Sequence, residues 1–140
     1  MIRLTTHGYT LEIELLNYYC HDALFTAEGV HYTPEANRLS INMLREMTER
    51  AQRERRLLFL TRYAVPTIKC MVVFHGVLHA QIDIPDVEDN VAEITFDQSA
   101  KVMTIHGVRG SRIELRVDHV EADLIDHDGI EGRSSVWAFK

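Results

Sequence analysis

Cysteine is scarce in this sequence: Cys20 and Cys70 are the two in 140 residues. Two thiols cannot build the multi-bridge framework of a small secreted domain, and they predict reduced side chains in a cytoplasmic compartment. Glycine and proline are few as well, seven and three, and they stand singly. That excludes low-complexity linkers and predicts one continuous domain over residues 1–140. No apolar run approaches the roughly 18 residues needed to span a bilayer. Met1 to His7 show no basic stretch followed by an apolar one, so neither a secretory signal nor a membrane partner is expected.

Signatures of catalysis are missing too. The sequence holds no Gly-x-Ser-x-Gly, no Gly-x-x-x-x-Gly-Lys-Ser/Thr, no Gly-x-Gly-x-x-Gly, no His-Glu-x-x-His and no Cys-x-x-Cys. A nucleophile elbow, a phosphate loop, a dinucleotide cradle and the common zinc sites are therefore unsupported. No cofactor is expected, and the reading leans away from an enzyme. Cys20-His21-Asp22 sets three reactive types side by side. Neighbours on a strand point to opposite faces, so adjacency there makes no catalytic constellation.

What is present suits a soluble globule. The hydrophobic fraction is 46% and the charged fraction 26%, and a chain of 16.2 kDa can bury a real core. Residues 34–55 predict a long amphipathic helix: Thr33 as N-cap, Pro34 in the first turn, and Leu39, Met43 and Met47 stepping by four. On that helix Met43 and Met47 face the core, and Arg45, Glu49 and Arg53 face solvent. Glu46–Arg50 and Glu49–Arg53 are favourable pairs four residues apart.

Elsewhere the pattern is β. Leu11, Ile13 and Leu15 alternate with Glu12 and Glu14, and Leu57 to Leu60 predict a strand buried on both faces. Residues 68–84 fit either a hairpin through His75-Gly76-Val77 or one strand bent at Gly76. Ala92–Phe96 and Met103–Ile105 form a hairpin around Asp97-Gln98-Ser99-Ala100, with Ile94 opposite Met103. A parity change marks a bulge or turn near Asp118-His119, Asp126–Gly129 is a turn, and Val136–Phe139 a closing strand. The expected fold is α+β, with the long helix packed on a largely antiparallel meander of about 7–8 strands. This order of elements resembles that of hot-dog and cystatin-like domains, in order alone and without their catalytic or inhibitory motifs.

Charge is segregated. From Glu35 to Arg62 seven arginines meet four acids; from Asp83 to Glu131 thirteen acids meet four basic residues. Asp118, Glu121, Asp123, Asp126, Asp128 and Glu131 crowd fourteen residues with no Lys or Arg between them. Complementary fields speed and orient encounter, so this run is the expected docking surface for a basic protein partner. The leading reading is thus a non-catalytic protein-interaction domain: a small acidic cytoplasmic regulator or inhibitor. It is expected to be a homodimer, with Val136–Phe139 near the contact because a meander leaves an edge to be closed.

Two alternatives remain. Eight histidines, among them His75, His79 and His106, could join carboxylates from several strands in a small enzyme, a ligand-binding domain or a metal site. The stretch from Asp123 to Glu131 also resembles the opening of a calcium loop, though an acidic turn explains it without a metal. Arg38, Arg45, Arg53 and Arg56 could line a basic helix face for nucleic acid, but intervening glutamates and a net charge of -6 rank that reading last.

Overall fold

The computed structural model describes residues 2–5, 10–46, 52–57, 60–126 and 132–139, with side chains described for 13–46 and 65–126. Their order is β1 (Ile2–Thr5), α1 (Thr10–Cys20), β2 (Leu24–Thr33), a single 3-10 turn (Pro34–Ala36), β3 (Arg38–Glu46), β4 (Gln52–Leu57), β5 (Leu60–Phe74), β6 (Val77–Asp83), β7 (Glu88–Asp97), β8 (Val102–Gly107), β9 (Arg112–Val117), β10 (Glu121–Asp126) and β11 (Gly132–Phe139). The strands pair in the order β1-β10-β5-β3-β2-β7-β8-β9-β6, with β4 and β11 also on β5. All these pairings are antiparallel. The α+β reading with an antiparallel sheet therefore holds. The helix is short, however, and lies elsewhere.

The 15-residue β5 organises one half of the sheet. Its first half pairs with β4 on one side and β11 on the other; its second half pairs with β3 and β10. Gly76, at φ 66, then turns the chain out of this half and into β6, which pairs with β9. Residues 68–84 are thus one strand path bent at Gly76, not a hairpin. The inner faces of the two halves close on one apolar cluster, drawn from β3 (Leu39, Ile41), β5 (Val72, Phe74) and β10 (Leu124), and from β7 (Ile94), β8 (Ile105) and β9 (Leu115).

The long helix expected over 34–55 is replaced by β3 and β4. Pro34 does open a helical turn, but Asn37 ends it in the left-handed region at φ 50 and ψ 47. Beyond it Leu39, Ile41 and Met43 are buried, whereas Arg38 and Asn42 are exposed. Leu39 and Met43 belong both to a stripe with a step of four and to a strand face with a step of two. Ile41 separates the two patterns, and pairing with β2 and β5 selects the strand. Met43 is buried as expected, but Arg45 is 1% exposed rather than open to solvent. Arg53 falls on β4; Met47, Glu49 and Arg50 lie outside the described residues. The order of strand, helix and run of strands is kept, but its helix is the short one at Thr10–Cys20 rather than a long one over 34–55.

The reverse error occurs at residues 10–20, where alternation predicted a strand and the chain is helical. Leu16 and Cys20 are fully buried one turn apart, whereas Leu15 is 39% exposed. The helix also completes an edge. β2 pairs with β7 only from Glu88 to Asn90. Beyond that point Asn17 donates from Nδ2 to the Ile94 carbonyl at 2.7 Å and accepts from the Ile94 N–H at 2.7 Å. One side-chain amide thus stands in for a strand neighbour.

The β7–β8 hairpin is present with its register moved. Ile94 faces Ile105 and Phe96 faces Met103, with Asp97 opposite Val102. Asp97 Oδ1 accepts from the Ser99 and Ala100 N–H groups at 3.0 and 3.1 Å, and Lys101 takes φ 55. Asp97 therefore closes the turn instead of lying within it. The parity break near Asp118-His119 separates β9 from β10, and Val136–Phe139 forms part of β11. Leu57 and Leu60 oppose each other across the β4–β5 connection rather than sharing one strand. The turn expected after Asp126 lies outside the described residues.

Arg45 shares the inward parity of Leu39, Ile41 and Met43. Its Nε and a terminal nitrogen donate to the two carboxylate oxygens of Asp126 at 2.9 and 2.7 Å, and its guanidinium lies 5.6 Å from the Tyr19 ring centroid. The fork geometry suits a buried charge, because both oxygens are engaged at once. Breaking such a pair from one side leaves an uncompensated charge, whereas apolar replacement of both can be neutral. Arg45→Ala is expected to cost about 3–5 kcal/mol. The double variant Arg45→Met with Asp126→Leu should lose clearly less, both measured by urea unfolding.

Candidate functional site

Asp89 opens β7 at the position where it pairs with Phe25 of β2. Its side chain is fully buried. Oδ1 accepts from the N–H groups of Asn90 and Arg109 at 2.7 and 2.8 Å, and Oδ2 accepts from the Ser111 N–H at 3.1 Å. Burial alone pushes the pKa up. Hydrogen bonds from Ser111, Arg109 and Asn90 outweigh it and hold the carboxyl below its usual range. The carboxylate therefore fastens the turn between β8 and β9 to the first residues of β7. Gly107 is where this turn meets Asp89: a Cβ there would collide with the Asp89 carboxylate and press on Ser111.

Two further segments join this turn. In β2 the pairing with β3 jumps from Phe25–Met43 to Val30–Ile41, leaving Thr26 to Gly29 as a wide bulge. Thr26 Oγ1 accepts from the Gly29 N–H at 3.2 Å and holds the bulge in shape. The Ala27 N–H donates to the Val87 carbonyl at 3.3 Å, and the Val108 N–H to the Asn90 carbonyl at 2.9 Å. Arg109 donates to the Glu88 carbonyl at 3.3 Å and stands 3.7 Å from its carboxylate. The bulge, the β6–β7 connection and the β8–β9 turn thus meet around one buried carboxylate.

The outer surface of this cluster carries Val87, 85% exposed, and Val108, 63% exposed. Glu28, Asp86 and Glu88 are exposed on the same segments. Beside the bulge opens a groove of about 280 Å³ that includes Leu24, Thr26, Leu44 and Lys69 in its lining. Apolar groups within a charged rim, on loops braced from beneath, form an arrangement suited to recognising another surface.

The residues singled out from the sequence fall in other places. Asp123 is buried and its Oδ2 lies 2.9 Å from His75 Nε2. Asp126 is engaged by Arg45. Glu121 faces His119 at 3.3 Å, Asp118 is exposed, and Asp128 and Glu131 lie outside the described residues. Three members of the acidic run are therefore turned to partners within the chain. His79 is exposed on β6, and His106 lies 3.4 Å from the Thr95 hydroxyl. Among the described residues no group of three or more His, Cys, Asp or Glu is placed to hold a metal ion. Arg38 is exposed at the start of β3, Arg45 is buried, and Arg53 and Arg56 stand opposite Tyr63 and Thr61 in the β4–β5 ladder. The four arginines do not share one helix face.

Cys20 and Cys70 are buried free thiols. Burial, reinforced for Cys20 by its proximity to Cys70, pushes both up to about 12. They are protonated at neutral pH, which removes the thiolate needed for nucleophilic attack. Among the described residues no helix is long and apolar enough to cross a membrane.

The Asp89 brace sets an acid-side dependence of stability. A carboxyl whose folded pKa lies below its unfolded value of about 3.9 contributes fully above that pH and loses its contribution as pH falls through the folded value. Asp89→Asn is expected to cost about 1–3 kcal/mol at pH 7 through lost acceptors for buried N–H groups. It should also flatten the decline of stability below about pH 4, read by urea unfolding along a pH series. Gly107→Ala should destabilise as well, because the inserted methyl must displace the carboxylate.

No protein-family model, curated protein or solved structure matches this chain, so the reading of the Asp89 cluster rests on its geometry and chemistry.

Proposed function

We propose that this chain is a non-catalytic protein-interaction domain, a small acidic regulator or inhibitor that docks a basic partner through the loop cluster braced by Asp89. The observation that carries this reading is the pairing of rigidity with exposure. Val87 and Val108 stand open to solvent on segments whose backbone is fixed from below by a fully buried carboxylate. Loops held in shape lose little entropy on binding, so their apolar groups can contribute most of their burial to affinity. Glu28, Asp86 and Glu88 around them supply the field that attracts a basic surface. We place the acidic docking surface at residues 28 and 86–88 rather than on the 118–131 run, in which Asp123 and Asp126 contact His75 and Arg45.

The two kinds of residue should act on different rate constants. A partner is first isolated by affinity capture from the native host, and association is then followed with purified components. The triple variant Glu28→Gln, Asp86→Asn, Glu88→Gln is expected to slow association about tenfold at low salt and to lose most of that difference at high salt. Val87→Ser with Val108→Ser should instead speed dissociation with little change in association. A partner whose binding is untouched by both sets of substitutions would remove the cluster from the interface.

A further inference from the structure

We propose that β6 pairs edge to edge, antiparallel, with β6 of a second copy of this chain, about a two-fold axis at Gln81. The inference rests on the β6 edge and not on the loop cluster. β6 ends the strand order, and among the described residues its ladder is with β9 alone. Among the described residues its other side, beyond Val77, has no strand neighbour to pair its backbone N–H and C=O groups. Natural proteins protect such edges with Lys, Pro or a covering segment. β6 reads Val-Leu-His-Ala-Gln-Ile-Asp, with neither Lys nor Pro. Leu78 is 52% and Ile82 41% exposed, which leaves apolar side chains open along the free edge.

The strand is self-complementary when centred on Gln81. Gln81 meets its own copy, Ala80 meets Ile82 of the second copy, and His79 meets Asp83 of the second copy. By strand alternation Ala80 and Ile82 then form an apolar stripe on one face, with the exposed Leu78 beside it at the bulge between Val77 and His79. On the other face two His–Asp pairs, each able to share a hydrogen bond, flank a Gln–Gln pair. Moving the axis one residue to Ala80 sets His79 against Gln81 and Asp83 against Val77, losing both His–Asp pairs. It also extends the ladder to Val77, whose N–H already donates to the Asn37 carbonyl at 2.8 Å. The His–Asp pairing and the engaged Val77 N–H both select the Gln81 axis. An isologous contact of this kind uses the edge on both copies and closes at two.

The full chain is expected to show a dimer mass by sedimentation velocity at tens of micromolar, diluting to monomer as mass action requires. Leu78→Lys with Ile82→Lys, folded by circular dichroism, should weaken dimerisation by about a hundredfold, since each charge enters the apolar stripe twice. Register is tested by cysteine cross-linking under mild oxidation, with the buried Cys20 and Cys70 left in place. Gln81→Cys should give a reducible covalent dimer and His79→Cys should not, because only position 81 faces itself. A monomeric parent chain, a lysine variant that dimerises as tightly as the parent, or a dimer that His79→Cys links as readily as Gln81→Cys would each overturn the proposal.

Discussion

An ionised carboxylate can be buried only where fixed donors replace its water, and Asp89 meets that condition with three backbone N–H groups. The consequence reaches beyond one side chain. Asp89 lies on the strand that joins the two halves of the sheet, since β7 pairs with β2 on one side and β8 on the other. Its donors come from its own strand and from the β8–β9 turn. That turn is therefore fixed relative to the β2–β7 junction, and Gly107 must lack a side chain for the approach to occur. A neutral amide at position 89 offers one acceptor atom in place of two, so the brace depends on charge as well as shape.

The interior uses its other polar groups in the same way. Arg45 and Asp126 join β3 to β10 across β5, Asn17 completes the free edge of β7, and His75 meets Asp123 where β5 leaves for the corner at Gly76. Each lies where regular pairing ends or where a strand must serve two neighbours. Apolar packing favours collapse without fixing a particular register. These directional contacts distinguish one arrangement of similar alternating strands from another.

Much of the β architecture was legible in the sequence, because a step of two survives wherever one face is buried. The β7–β8 hairpin and the break after Val117 follow from parity, whereas parity over 68–84 fits a bend or a hairpin and only the pairing of β6 with β9 selects the bend. Helix and strand exchange places at residues 10–20 and 34–55 for one shared reason. Leu39, Met43 and Met47 satisfy a step of four, while Leu39 and Met43 with Ile41 satisfy a step of two; Leu11, Ile13 and Leu15 satisfy alternation on a segment that is helical. Short apolar patterns fit either period, and the neighbours that decide are distant in sequence: β5 for β3, β7 for α1. The hairpin register moved because Asp97 has a turn-closing role that hydropathy does not encode. Asp89 was invisible for the same reason. In sequence it is one acid among thirteen between residues 83 and 131, and only the return of the chain at Arg109–Ser111 makes it different from Glu88 beside it.

The two surface features gain meaning when placed on one scaffold. β6 runs directly into the connection that carries Asp86, Val87 and Glu88, so the free edge and the loop cluster are joined by a few residues. Antiparallel pairing about Gln81 points the two β6 strands in opposite directions. The Asp83 ends of the two copies then lie on opposite sides of the axis, four residues of strand apart, or about 14 Å at the usual rise. Each cluster would face away from the other and remain open. A dimer built as proposed would present both proposed docking surfaces on one sheet without using either in its own contact. Two sites fixed on a continuous sheet, rather than on flexible linkers, can engage a repeated or symmetric partner with a gain in avidity set by geometry alone. That geometry rests on the same brace as the rest of the junction, since the β8–β9 turn is held to β7 through the Asp89 carboxylate.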